Sequence, residues 1–146
     1  MRLPIKARHL APRLITGAFI LNSGLGKFQA RHDEQTAQAL HGMAAGSYPF
    51  LRRVPPATFV TLLAAAETAL GGALLLPVVP TAVAGAGLTA FSGGLLGLYF
   101  RTPGLRKPGS LAPTQDGLPI AKDSWLLGIG LGFLTDACAE RRRCCR

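Results

Sequence analysis

An all-α integral membrane bundle of four helices, with long first and third loops on the same face, is the fold class this sequence predicts. Three observations predict it: four apolar stretches of near-bilayer length, a 49% hydrophobic composition with a mean hydropathy of +0.31, and small residues recurring at regular spacing inside the stretches. A hydrocarbon core of about 30 Å takes about 20 mostly apolar residues in helical form. Backbone in lipid must also satisfy its own hydrogen bonds, as a helix does. The bundle would occupy most of residues 1–146 as one domain, leaving 140–146 as a basic, cysteine-containing tail.

The first span is read from about Ala11 to Phe28. Arg2, Lys6, Arg8 and Arg13 precede its apolar run, the layout of a secretory signal, but three further spans and no clean small-residue cleavage site favour an uncleaved helix. The first loop, Gln29 to Pro56, holds Ala37, Leu40 and Met43 at helical spacing, which suits a short amphipathic helix in the interface. The second span, Ala57 to Leu76, and the third, Thr81 to Phe100, are joined by the short turn Pro77–Pro80 and should form an antiparallel hairpin. The third loop, Arg101 to Asp123, is punctuated by proline and glycine. The fourth span runs from Ser124 to Ala139.

Inside lipid, close packing through small residues replaces the hydrophobic drive between helices. Thr81, Gly85, Thr89, Gly93 and Gly97 make such a stripe in the third span, Ser124, Gly128 and Gly132 lead to Asp136 in the fourth, and Thr61, Ala65, Ala69 and Ala73 do so in the second. Each stripe is expected to face another helix, in the same chain or in a homo-oligomer.

The net charge of +9 does not indicate nucleic acid, because the basic residues lie at span ends and loops, where they suit lipid head groups, and no RNA- or DNA-binding motif is present. Eight Lys and Arg residues fall with the termini and eight with the two long loops, so the positive-inside rule does not orient the chain. The basic lead-in and the triple arginine after the last span favour cytoplasmic termini. Cys138, Cys144 and Cys145 form no metal-ligand spacing with one another or with His9, His32 and His41, so no metal site is expected. Surrounding arginines could make the tail thiols reactive, but a disordered basic tail is the favoured reading.

Glu67, near the middle of the second span, is the leading candidate for function, since a carboxylate in hydrocarbon must face the interior, find a partner or keep its proton. A structural hydrogen bond from a neutral acid is its simplest alternative. Lys27 closes the first span behind Asn22 and Ser23, both polar enough to line an interior. Counted from the loop end of its helix, Glu67 lies roughly 15 Å deep, more than a lysine spans, so a direct pair is left open beside ordinary snorkelling. Arg101, Lys122, Asp123 and Trp125 are expected to gather with Lys27 at the loop-side mouth. There they would hold a polar or anionic head group, or anchor the protein at the interface. Asp123 also suits an N-cap for the last helix, and Asp136 a pairing with Arg13. The glycine runs at Gly85–Gly87 and Gly128–Gly132 lie within apolar helices and do not make a dinucleotide-binding turn.

The segments NSGLGKF, AAAETALGGALLLP and LYFRTPGLRKPGSLAPTQDGLPIAKDSWLLGIGLG resemble the DoxX-like family of small bacterial integral membrane proteins, over nearly the whole chain except its ERRRCCR end. The resemblance implies a four-helix bundle in a bacterial cytoplasmic membrane, with Lys27, Glu67, Arg101, Lys122 and Asp123 at family-like polar positions. It implies an accessory, non-catalytic subunit of a membrane redox or oxidative-stress assembly, with a redox partner protein and a quinone-like or amphiphile site but no tightly held cofactor. A small transporter or lipid-handling protein is the alternative. A component oxidising thiosulfate or another sulfur compound at the expense of quinone is the third.

Overall fold

The computed structural model describes residues 6–144, with the side chains of 143 and 144 outside the description. The described residues are helical and contain no strand beyond an isolated bridge between Arg106 and Pro113. Helix α1 spans Ala7–Ala30, α2 Glu34–Ser47, α3 Pro56–Leu75, α4 Thr81–Arg101, α5 Leu118–Ala121 and α6 Ser124–Cys144, with a 3-10 turn at Pro49–Arg53. Of these, α3 and α4 are long and apolar enough to cross a membrane. The amphipathic segment of the first loop is indeed a helix, started by Asp33, whose carboxylate accepts from the Gln35 amide.

The long helices associate chiefly as two couples, α1 with α3 and α4 with α6. The short turn makes α3 and α4 neighbours in sequence, but they touch far less than either touches its partner. Packing decides this: Gly17 abuts Leu74, Gly71 abuts Leu21, and Gly24 abuts Thr68, an antiparallel register that brings backbones together. The second couple repeats it with Gly85 against Phe133 and Gly130 against Thr89. A Cβ on Gly130 would lie 2.6 Å from the Thr89 hydroxyl and 2.9 Å from its backbone nitrogen, too close for any side chain.

The small-residue stripes therefore need correcting. Gly85 and Thr89 do face α6, but Gly93 lies open, and Gly128 and Gly132 have nothing in front of them. On α3 the packed residues are Val60, Ala64, Glu67, Gly71 and Leu74, whereas Ala65 and Ala69 are exposed. An every-fourth-residue stripe drifts about 40° per step around a helix of 3.6 residues per turn, so only alternating steps of three and four keep facing one partner.

Arg13 fastens the first couple and is 1% exposed. Its guanidinium donates to the carbonyls of Ala73, Leu74, Leu76 and Val79 and to the Thr81 hydroxyl, at 2.8–3.3 Å. Carbonyls at a helix C-terminus lack intrahelical donors and carry partial negative charge, so a guanidinium there needs no carboxylate. Asp136 consequently does not pair with Arg13. It meets Lys6, Arg8 and His9 instead, with Lys6 and His9 each at 3.2 Å. These contacts join the start of α1 to the end of α6 and place both ends of the described chain together. The two long connections meet at the other end, where Ser47 hydrogen-bonds Thr102 at 2.7 Å.

Candidate functional site

The long-connection end of the molecule holds a cavity of about 520 Å³ walled by all four long helices, α2 and α5. Its lining is mostly apolar, with Phe19, Leu63, Phe91 and Leu126 among the larger side chains. Three charged residues, Lys27, Glu67 and Asp123, also line it, from α1, α3 and the residue before α6.

The register of α1 against α3 brings the first two together. Gly24 lies beside Ala64 and Thr68, so Glu67 is level with Ser23 and Gly24, about three residues, or 4–5 Å, from Lys27 along the axis. Depth counted from the start of α3 overstates the gap, because the first turns of α3 extend past the end of α1 and pack on α2. Side chains on a helix lean toward its N-terminus, which directs Lys27 back over Ser23, four residues earlier. Its ammonium donates to the Ser23 hydroxyl at 2.7 Å and to Glu67 Oε2 at 2.8 Å. The Glu67 side chain is 5% exposed and that of Lys27 22%. Lys27 thus turns inward to a buried carboxylate, while Asn22 is exposed.

Asp123 lines the same cavity, close enough to feel the charges of Glu67 and Lys27. Burial, then the Glu67 charge, raise its carboxyl from an ordinary 3.8 to about 6, against the opposing pull of Lys27. Among the described residues it makes no side-chain cap for α6, whose first turn is closed by backbone bonds from Trp125 to Lys122 and from Leu127 to Asp123.

The other mouth candidates do not line the cavity. Arg101 lies over the Tyr48 ring at 5.3 Å, Lys122 is exposed, and Trp125 is 73% exposed. Sequence reasoning missed the α2 side of the cavity, formed by Leu40, Met43 and Ala44 with the neighbouring Tyr48 and Leu51. Tyr48 is fixed by donating to the Gly94 carbonyl at 2.8 Å, and it lies against Gly97 so closely that a Cβ there would collide. The amphipathic spacing of α2 was the available signal, but it does not say what its apolar face covers.

Lys27, Ser23 and the two carboxyls offer hydrogen-bond donors and acceptors beside apolar walls. That combination suits a small amphiphile with an oxygen-bearing head, and the volume lies in the usual 300–1,000 Å³ range of ligand pockets. Among the described residues no cluster of His, Cys, Asp and Glu could hold a metal ion. Cys138 is an exposed free thiol that does not line the cavity, and Cys145 lies outside the described residues. In comparisons with known protein families, curated proteins and solved structures, nothing matches this chain.

Proposed function

We propose that the protein is an integral membrane four-helix bundle that binds a quinone-like amphiphile between its helices, as an accessory subunit of a redox or oxidative-stress assembly in a bacterial cytoplasmic membrane. The observation that carries the binding reading is the cavity with a Lys27–Glu67 ion pair set in an apolar wall. A buried pair contributes little net stability over apolar residues of similar size, so its presence at a cavity favours a ligand-directed role. The distribution of side chains supports lipid as the solvent. Arg13, Thr16, Glu67 and Ser92 are buried, while Ile15, Phe19, Leu62, Val83 and Leu131 on the four long helices point outward. The redox assignment rests on the DoxX-like segments.

The chain's part in such an assembly would be to bind and orient the head group and to hold a proton beside it. When bound, a quinone supplies the electron and proton acceptor, and its electrons come from a partner subunit. A short-tailed benzoquinone should bind the full chain in lipid nanodiscs, and Lys27→Ala should weaken it by about tenfold or more, the worth of one charge-assisted hydrogen bond. Undiminished binding to that variant would remove the site from the cavity. Recovery of a redox partner on mild-detergent purification would support the accessory role. A lipid-handling role is the second reading, favoured by the largely apolar lining. It predicts copurifying phospholipid that a benzoquinone does not displace.

A further inference from the structure

We propose that the occupant of the cavity is an uncharged amphiphile and that its binding takes up one proton at Asp123. This rests on the pocket reading above and adds the ligand's charge class and its regulation by pH. Lys27 is the one cation among the lining residues, and it is already engaged by Glu67 and Ser23. The pair is neutral together, so Asp123 sets the charge of the site: zero when protonated, minus one when ionised.

No other wall alters that balance. The α4 side presents Ala90, Phe91, Gly94, Leu95 and Leu98, the α2 helix Leu40, Met43 and Ala44, and α5 Pro119 and Ile120. Tyr48 adds only a phenol, already donating to Gly94. His41 on α2 meets Phe59 edge-on, with ring centroids 5.6 Å apart, and is bonded to the Leu51 carbonyl, outside the cavity lining. Lys122 is exposed to solvent. The third N–H of Lys27 can serve an uncharged oxygen, but an anionic head group would find the Lys27 charge already balanced by Glu67 and would face the Asp123 carboxylate. The expectation of a cationic mouth is therefore replaced by a neutral or negative one.

Burial already disfavours ionised Asp123, and an uncharged occupant that displaces water from the cavity increases that penalty. The bound state then holds its proton to higher pH than the free state. By linkage, binding draws a proton from bulk water and weakens as pH rises. The protonated carboxyl also becomes a donor to an oxygen of the head group.

The test is the affinity of the full chain in lipid nanodiscs for a short-tailed benzoquinone, uncharged throughout, and for decyl phosphate, from about pH 5 to about pH 8. Quinone affinity should be flat below about pH 6 and fall by up to tenfold per unit above it. Calorimetry near neutrality, in buffers of differing ionisation enthalpy, should show proton uptake on binding by the unaltered protein. Asp123→Asn should bind at alkaline pH as tightly as the unaltered chain does in acid. Quinone binding that is independent of pH and releases no buffer proton overturns this proposal and leaves the pocket reading standing. Tighter binding of decyl phosphate, or a pH slope that survives Asp123→Asn, also overturns it. Failure of both probes to bind overturns both readings.

Discussion

Removing one partner of the Lys27–Glu67 pair strands the other charge in an apolar wall, whereas removing both does not. Lys27→Met should therefore destabilise the protein by roughly 3 kcal/mol, and Lys27→Met combined with Glu67→Leu should recover most of that loss while benzoquinone binding stays weak. Denaturation in detergent, measured as a double-mutant cycle that includes Glu67→Leu alone, checks the first statement, and a loss in the double variant equal to the sum of the two single losses would show that the pair is not coupled. Asp123 behaves oppositely to a salt-bridged carboxylate. Its carboxyl is raised in the folded chain, so folding favours the protonated form, and stability is lost as pH climbs from about 4 through about 6. Asp123→Asn should raise the melting temperature at pH values above that window and change it little below. A variant whose melting curve stays parallel to that of the unaltered chain at every pH would refute the raised carboxyl. The chemistry of this site was half legible in sequence. Glu67 and Asp123 stood out as acids inside or beside apolar runs, but their convergence with Lys27 depends on a helix register that only packing fixes.

Helix boundaries were far more legible than helix partners. Two of the apolar runs match α3 and α4 to within a residue, because hydropathy changes abruptly where the chain turns, whereas α1 begins earlier than its run and α6 continues to Cys144 through most of the expected basic tail. Partner choice depends on which small residues lie opposite a backbone, and periodicity read at a fixed step of four misplaced them. Gly130 and Gly128 separate the two readings. Gly130→Ala should cost about 1–3 kcal/mol, since its methyl meets Thr89, while Gly128→Ala, facing open space, should be neutral or stabilise by about 0.5–1 kcal/mol. The reverse order would restore the simple stripe. Arg13 was read as part of a positive lead-in and as a partner for Asp136, yet it closes the C-terminal end of α3. A lysine cannot reproduce donors spread over a planar guanidinium, so Arg13→Lys should lose at least about 2 kcal/mol in the same denaturation assay. A loss no greater than that of an exposed Arg31→Lys change would show the carbonyl contacts to be incidental.

Across the described molecule, a mostly apolar core also encloses polar groups, among them Arg13, Thr16, Glu67 and Ser92, while leucines, valines and phenylalanines also populate the outside of each couple. In water such an arrangement would expose apolar surface on all four long helices, and large contiguous patches of that kind mark interfaces. In lipid the penalty is smaller, because hydrocarbon would replace water outside while Arg13, Glu67 and Ser92 find partners within. Only α3 and α4 meet the length and hydropathy of a span unaided, since α1 and α6 each carry charged residues along or at the end of their helices. Those charges nevertheless lie where a bundle can accommodate them: Arg13 on carbonyls, Lys27 on Glu67, and Asp136 among Lys6, Arg8 and His9 near the terminal face. The proposed four-span reading requires that, with these groups neutralised locally, α1 and α6 also face lipid. Nitroxide labels at Ile15, Leu62, Val83 and Leu131 in vesicles should accordingly be relaxed by oxygen, which concentrates in the acyl region, more than by a water-soluble nickel chelate. Labels at Leu62 and Val83 alone behaving so, with Ile15 and Leu131 open to the chelate, would reduce the protein to two spans carrying a peripheral pair of helices.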